Sequence, residues 1–204
     1  MDYKSLKKAL EQISATMDDQ RDYLISLDQQ NGDGDLGISM SEGYRAVKAY
    51  LDSAEETDLG KLLLKCSSVF NEAAPSSLGT ITAFGFMGMA KALKGKTEAS
   101  YAEVVAALDA GIAQIMAKAK SKPGEKTILD AIYPAVEELK KFDGSDKKAA
   151  FDAAAKAAAE GSENTKNMRS VHGRAAYYAE KSLGVLDGGS VVGRLVFEAI
   201  AKSV

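Results

Sequence analysis

Between positions 27 and 40 the chain reads LDQQNGDGDLGISM. Three carboxylates, Asp28, Asp33 and Asp35, fall there within eight residues, interleaved with Gly32, Gly34 and Gly37. No lysine, arginine or histidine lies in the stretch to neutralise them. Three chemistries suit such a loop. Asp, Asn and Gly are ordinary turn residues, so one is a solvated bend. A second is calcium. Asn31, Asp33, Asp35, Gly37, Ser39 and Glu42 fall at positions 1, 3, 5, 7, 9 and 12 of the EF-hand spacing, with Ile38 at position 8. Asparagine opens that series, Leu36 stands where the sharp turn takes glycine, and the chain has no second loop of the kind. The third is magnesium with phosphate. Crowded carboxylates raise one another's pKa unless a cation sits among them. Magnesium takes a few carboxylates and leaves the rest of its octahedron to substrate phosphates, and glycines let the backbone approach closely.

Whatever the loop binds, helices must position it. Tyr3, Leu6, Leu10, Ile13 and Met17 step by three and four, and Tyr23, Leu24 and Leu27 continue the stripe to the loop. Met40, Tyr44, Val47 and Leu51 repeat the stepping, as do Leu59, Leu62, Leu63, Cys66 and Phe70. Further helices are expected from about residue 77 through ITAFGFMGMAKAL, in YAEVVAALDAGIAQIMAKAK, and in TILDAIYPAVEELKKF, where Pro134 is a candidate kink. DKKAAFDAAAKAAAEG and SVVGRLVFEAIAKSV complete eight, and NMRSVHGRAAYYAEKSLG reads as an extra helical piece. No run alternates with period two, so the class is all-α, one domain over 1–204.

Four breaks put glycine beside small or charged polar groups just before a helix: 28–37, 74–80, 123–127 and 184–190. A helix N-terminus offers free N–H groups and a positive dipole end, which suits phosphate. Each break follows an odd-numbered helix, so in an antiparallel bundle all four gather at one end.

Composition bounds the rest. The chain has 204 residues and a net charge of −3, which argues against a broad nucleic-acid footprint. No apolar run approaches a membrane span. The amphipathic N-terminus, MDYKSLKKALEQI, is not read as a targeting peptide. A lone cysteine, Cys66, suits a reducing compartment, and a cytoplasmic location is expected. One cysteine and one histidine, His172, leave too few ligands for a common structural zinc site. Cys66 reads as core, His172 as local structure, Met87 and Met89 as packing. Arg174 reads equally as a nucleotide contact or as a partner for Asp187 or a neighbouring acid.

Asp28 followed by GDGD at 32–35 resembles the metal-binding signature of the L subunit of phosphotransferase-dependent dihydroxyacetone kinases. GEKTILDAIYPA at 124–135 and GRAAYYAEKSLGVLDGG at 173–189 are similar to two further segments of that family, in the same order. The resemblance covers essentially the whole chain. It implies an antiparallel, barrel-like bundle of eight helices with ADP or ATP at one end. It also implies two Mg2+ held by Asp28, Asp33 and Asp35. By the same resemblance the nucleotide contacts fall among Gly37, Ser39, Ser76, Ser77, Gly79, Thr80, Gly124, Thr127, Arg174, Asp187, Gly188 and Gly189. A phosphotransferase-system subunit would rephosphorylate the bound ADP, and a separate K-type subunit would hold the ketone. Neither nucleic acid nor membrane is an expected partner, and pairing into a homodimer is left open.

The chain departs from the family pattern in four places. Leu36 stands where a histidine usually follows GDGD, and Ser39 replaces an asparagine. APSSLGT at 74–80 replaces a GG-S-G stretch, and Gly188 replaces a proline. The departures mark a divergent branch. They leave two alternatives: a kinase subunit for another short sugar such as a tetrulose, and a regulatory protein that binds ADP without transferring phosphoryl.

Overall fold

The structure, a computed structural model, describes residues 1–30 and 32–204. Among them are nine α-helices and no strand beyond an isolated bridge between Asp2 and Glu98. They are α1 Tyr3–Asp19, α2 Arg21–Asp28, α3 Leu36–Ser53, α4 Leu59–Ala73, α5 Ser77–Ala92, α6 Tyr101–Ala119, α7 Leu129–Leu139, α8 Lys147–Asn164 and α9 Gly188–Ser203. The first expected helix is broken. Gln20, at φ −93° and ψ 7°, separates α1 from α2. The break follows Asp18 and Asp19, both weak helix formers. Asp18 is also drawn sideways to Ser41 and Arg45 of α3. Pro134 does not end its helix; α7 runs through it. Proline has no N–H for the Asp130 carbonyl, and Gly161 of α8 packs against that carbonyl, where a Cβ would come to 2.1 Å. The extra helical piece is two 3-10 segments, Thr165–Asn167 and Arg174–Ser182.

With α1 and α2 as one broken column, the helices close a ring. Neighbours pack in the order α1, α3, α4, α5, α6, α7, α8, α9 and back to α1. Contacts between termini fix the direction. Tyr3 at the start of α1 reaches the Leu51 carbonyl at the end of α3, and Lys8 reaches Ser203 at the end of α9. Leu59 at the start of α4 donates to Lys96 just beyond α5, and Tyr101 at the start of α6 to Leu139 at the end of α7. Adjacent helices are therefore antiparallel, as the short connections demand. α3, α5, α7 and α9 all begin at the end where α2, α4, α6 and α8 finish.

The apolar stripes face inward. Leu6, Leu10, Ile13, Met17, Leu24, Met40, Val47, Leu62, Leu63 and Phe70 are all buried. Edge-on contacts join Tyr44 to Phe70 and to Phe86, and Gly43 leaves room for Phe70, whose Cζ would lie 2.6 Å from a Cβ there. Cys66 belongs to this core, and burial pushes its thiol up to about 12. The helices surround a partly open apolar cavity of about 340 Å³, lined among others by Leu10, Phe86, Ile115, Phe151 and Phe197. Among the described residues no helix is long and apolar enough to cross a membrane.

Candidate metal centre

The acidic loop is folded back on the end of α2. Asp28, the last residue of that helix, accepts the Gly34 N–H on Oδ2 (2.7 Å), and its carbonyl accepts the Gly32 N–H (2.6 Å). Gly34 sits at φ 81°, a left-handed conformation that glycine adopts without a steric penalty. Asp35 occupies the N-cap position of α3, yet its carboxyl makes no capping bond. Freed from that usual role, it joins Asp28 and Asp33, and one oxygen from each of the three lies within 4.8 Å of the others. Loss of water and the charges of Asp33 and Asp28 raise the Asp35 carboxyl above its ordinary range, with Arg174 offsetting part of the effect.

This donor set suits a hard divalent cation: all oxygen, all carboxylate, on a loop whose glycines keep the approach open. It does not suit the EF-hand alternative. The cluster takes in Asp28, which precedes that spacing, and not Glu42, which is exposed along α3. Asn31, the first position of the spacing, lies outside the described residues.

Other elements converge on the loop. Arg174 Nη2 lies 2.8 Å from Asp33 Oδ2, both side chains open to solvent. Gly188 at the start of α9 faces Leu36, where a Cβ would meet Leu36 Cδ2 at 2.7 Å. Leu36 is buried in the core and serves here as a packing group. Asp187 caps α9, accepting the Ser190 N–H at 2.6 Å, and its own N–H donates to Thr165 Oγ1 at 3.1 Å. Loss of water raises the Asp187 carboxyl to about 7, and the charges of Asp130 and Asp28 add to that. Ser39, in the first turns of α3, is buried and its N–H donates to the Asp35 carbonyl. Gly37, also buried, lets α3 sit against the Arg21 carbonyl, which a Cβ would approach to 2.1 Å.

Several expected phosphate donors are already engaged. The N–H groups of Gly124 and Thr127 both donate to the Asp130 carboxylate, at 2.5 and 2.7 Å. Ser76 is the N-cap of α5 and accepts the Gly79 N–H at 3.1 Å. The Thr80 N–H donates to the Ser76 carbonyl, and Gly79 is needed because a Cβ would lie 1.9 Å from the Ala74 carbonyl. The 74–80 stretch shares the carboxylate end of the barrel through helix alternation, with Pro75 and Ser77 exposed and Ser77 at the first helical position. Gly189 packs at Ile128. His172 pairs with Glu125, Nε2 to Oε2 at 2.6 Å, which fits a local role. Met89 packs on the core and Met87 lies beside Gln114.

Two residues that organise this end escape a reading by sequence. Asp130 looks like an ordinary first-turn acid of α7, but it is buried and ties down the 124–127 turn. Lys126 looks like a solvated charge, but its ammonium is enclosed by main-chain carbonyls. The one available signal was the GEKT turn itself, where Lys126 takes a φ of 61°.

The DAK2 domain, a protein family, matches residues 30–202. The chain is 30% identical, over 100% of its length and 96% of the relative's, to the ADP-binding subunit of PEP-dependent dihydroxyacetone kinase 2 from Listeria innocua. It is 32% identical to the human triokinase/FMN cyclase, over 98% of this chain and 35% of that protein. The crystal structure of the dihydroxyacetone kinase from C. freundii in complex with AMP-PNP and Mg2+ superposes with a TM-score of 0.77 at 26% identity, over 97% of this chain and 33% of that one. The chain therefore spans nearly all of the bacterial subunit and about a third of the two longer proteins.

Proposed function

The chain belongs to the DAK2 domain family, and on that premise we propose that it is the nucleotide-binding subunit of a dihydroxyacetone-type, short-ketose kinase. ADP or ATP with two Mg2+ would sit at the carboxylate end of the barrel, in a cytoplasmic protein. The observation that carries the reading is the Asp28, Asp33 and Asp35 cluster, three mutually close carboxylates at the end where α3, α5, α7 and α9 begin. The positive ends of four helix dipoles and a trio of metal-ready carboxylates suit the two halves of a metal–phosphate ligand. Bound there, magnesium would offset phosphate charge, which is most of what phosphoryl transfer asks of a protein.

The chain's own residues would bind and orient. Asp28, Asp33 and Asp35 would hold the metal, and Arg174, now paired with Asp33, would meet a phosphate oxygen. Leu36 neither donates a hydrogen bond nor titrates, so that position contributes no proton. The acceptor hydroxyl must be held in line with the transferred group, and a 1 Å misplacement costs on the order of 100-fold. His172 is engaged by Glu125, so a ketone would be held by a separate K-type subunit. The phosphoryl donor would be a phosphotransferase-system subunit, a reading that the PEP-dependent Listeria relative supports.

The test is a coupled assay with dihydroxyacetone. The chain alone should give no turnover with ATP, and turnover should appear when a K-type partner and a donor are added. Turnover by the isolated chain, lost in His172→Ala, would overturn the subunit reading. ADP–Mg2+ binding with no transfer under any partner would favour the regulatory alternative.

A further inference from the structure

Residues 165–187 cross the carboxylate end as a strap between α8 and α9, and hydrophobic burial does little to hold it. Its buried residues are Thr165, Ser170 and Ser182, all hydroxyl-bearing, while Val171, Tyr177, Tyr178 and Leu183 are exposed. Removal of apolar surface from water, the usual source of adhesion, is thus small along it, with Leu186 at its outgoing end packed on the core. The crown of the strap carries Arg174 to Asp33, but a solvent-exposed ion pair contributes little. Midway along it His172 Nε2 pairs with Glu125 Oε2 at 2.6 Å, and the densest set of bonds lies at its neck.

At the neck sits Lys126. Its Nζ donates to the carbonyls of Thr165 (2.9 Å) and Met168 (3.2 Å) on the incoming limb, and of Ser182 and Val185 (both 2.6 Å) on the outgoing limb. Three ammonium hydrogens thus serve four carbonyls from both limbs. Smaller bonds close the same neck: Gly184 N–H to the Lys166 carbonyl at 2.8 Å, and Ser170 N–H to Ser182 Oγ at 3.0 Å. Burial pulls the ammonium below its ordinary range, with Asp187 partly restoring it. The backbone at Lys126 has φ 61°, a conformation in which glycine would be unstrained. A buried charge on a strained backbone is a costly way to fill space, and its return here is the joining of two limbs.

We propose that Lys126 is a positioning residue for the nucleotide site: its ammonium latches the neck of the strap and so keeps Arg174 against the acidic loop. Its functional half rests on the ADP–Mg2+ reading above; the latch itself does not. Lys126→Met keeps the side-chain length and removes the donors. Lys126→Gly removes the chain, relieves the backbone, and leaves a carbonyl-lined space open to a small free amine.

Two readouts separate the latch from the nucleotide reading. The first is amide hydrogen exchange across 165–187 in the protein without nucleotide, which needs no ligand. Exchange should rise on the order of 10- to 100-fold in both variants, the range of a lost charge-assisted hydrogen bond, while the core of α1 to α9 stays protected. The second is ADP release from the Mg2+ complex, expected to quicken by a similar factor. n-Butylammonium should slow both processes again in Lys126→Gly, and tetramethylammonium, equally charged but without N–H, should not. Strap exchange equal to wild type in both variants would overturn the latch. So would rescue by both cations alike, and so would loss of helical circular dichroism in both variants, which would make Lys126 a requirement of the barrel. Faster strap exchange with unchanged ADP release would overturn the positioning role. Absence of ADP binding in the wild type would fail the nucleotide reading while the exchange data still judge the latch.

Discussion

At the end of the barrel where α1, α4, α6 and α8 begin, every first turn is closed by a side chain. Asp2 and Ser5 form a reciprocal box on α1, Ser100 and Glu103 another on α6, and Asp58 and Asp146 cap α4 and α8. Carboxylates there are matched: Glu103 meets Lys96, and Asp52 meets both Lys7 and Lys48. At the opposite end the N-cap residues of α3 and α7 make no side-chain capping bond, although Thr127 Oγ1 accepts the Leu129 N–H of α7. Three carboxylates crowd together there with a single exposed arginine. The electrostatics follow. Partners hold Asp2, Asp52 and Glu103 below their ordinary values, whereas Asp35 and Asp187 are raised. At the first end the acids complete the fold; at the second Asp130 and Asp187 do so too, while the carboxyls of Asp28, Asp33 and Asp35 crowd together.

Substitutions on the two ends should therefore have opposite signatures. The largest effect is expected from Asp33→Asn, which removes one charge and little shape. ADP–Mg2+ affinity should fall at least ~10-fold, more than ~1.4 kcal/mol. The protein without nucleotide should hold its melting temperature or gain slightly, since like-charge repulsion is relieved and only an exposed ion pair is lost. Equal ADP affinity in mutant and wild type, read by calorimetry, would remove Asp33 from the site. Asp58→Ala is the counterpart. It strips the cap from the Gly60 and Lys61 N–H groups and a bond from Gly95, and should cost ~1–2 kcal/mol in denaturant unfolding with ADP affinity unchanged.

The ends should also differ with pH. Glu103, held down to about 2 by Lys96 first and by Ser100, contributes stability that is complete above 4.5 and lost as pH falls towards 2. Asp187 is the reverse case. Raised from 3.8 to about 7, it binds its proton more tightly folded than unfolded, so its contribution shrinks as pH climbs from 3.8 to about 7. Asp187→Asn keeps an effective N-cap and should flatten that decline, leaving the metal-free mutant more stable than wild type at pH 8. A wild-type melting temperature indifferent to pH between 5 and 8, unchanged by the substitution, would contradict this. The smallest effect is expected from Arg174→Ala: melting should move by no more than an exposed ion pair allows, under ~1 kcal/mol, while ADP release quickens.

The barrel was legible because its stripes have one period and its breaks alternate; a chain of short-looped helices brings every second break to the same end. The meeting of Asp28, Asp33 and Asp35 was legible because they fall within eight residues among glycines; their use was not, since a solvated bend, calcium and magnesium all suit that composition. What stayed hidden depends on distant partners. Nothing in the sequence near Lys126 announces the carbonyls of residues 165–185 that enclose its ammonium. Ser76 and Gly79 looked like phosphate donors because cap residues and phosphate loops share one composition; here they bond to each other. The break at Gln20 is accompanied by bonds from Asp18 to Ser41 and Arg45 of α3, contacts no periodicity contains.

The central claim is that the carboxylate end is completed by magnesium and a nucleotide together. Its most direct test is calorimetry of ADP into metal-free protein, repeated with Mg2+ and with Ca2+ alone. The account predicts no heat from ADP without metal, saturable one-site ADP binding once Mg2+ is present, and loss of that binding in Asp33→Asn. Tight Ca2+ binding with no nucleotide binding, or ADP binding indifferent to Mg2+, would contradict it.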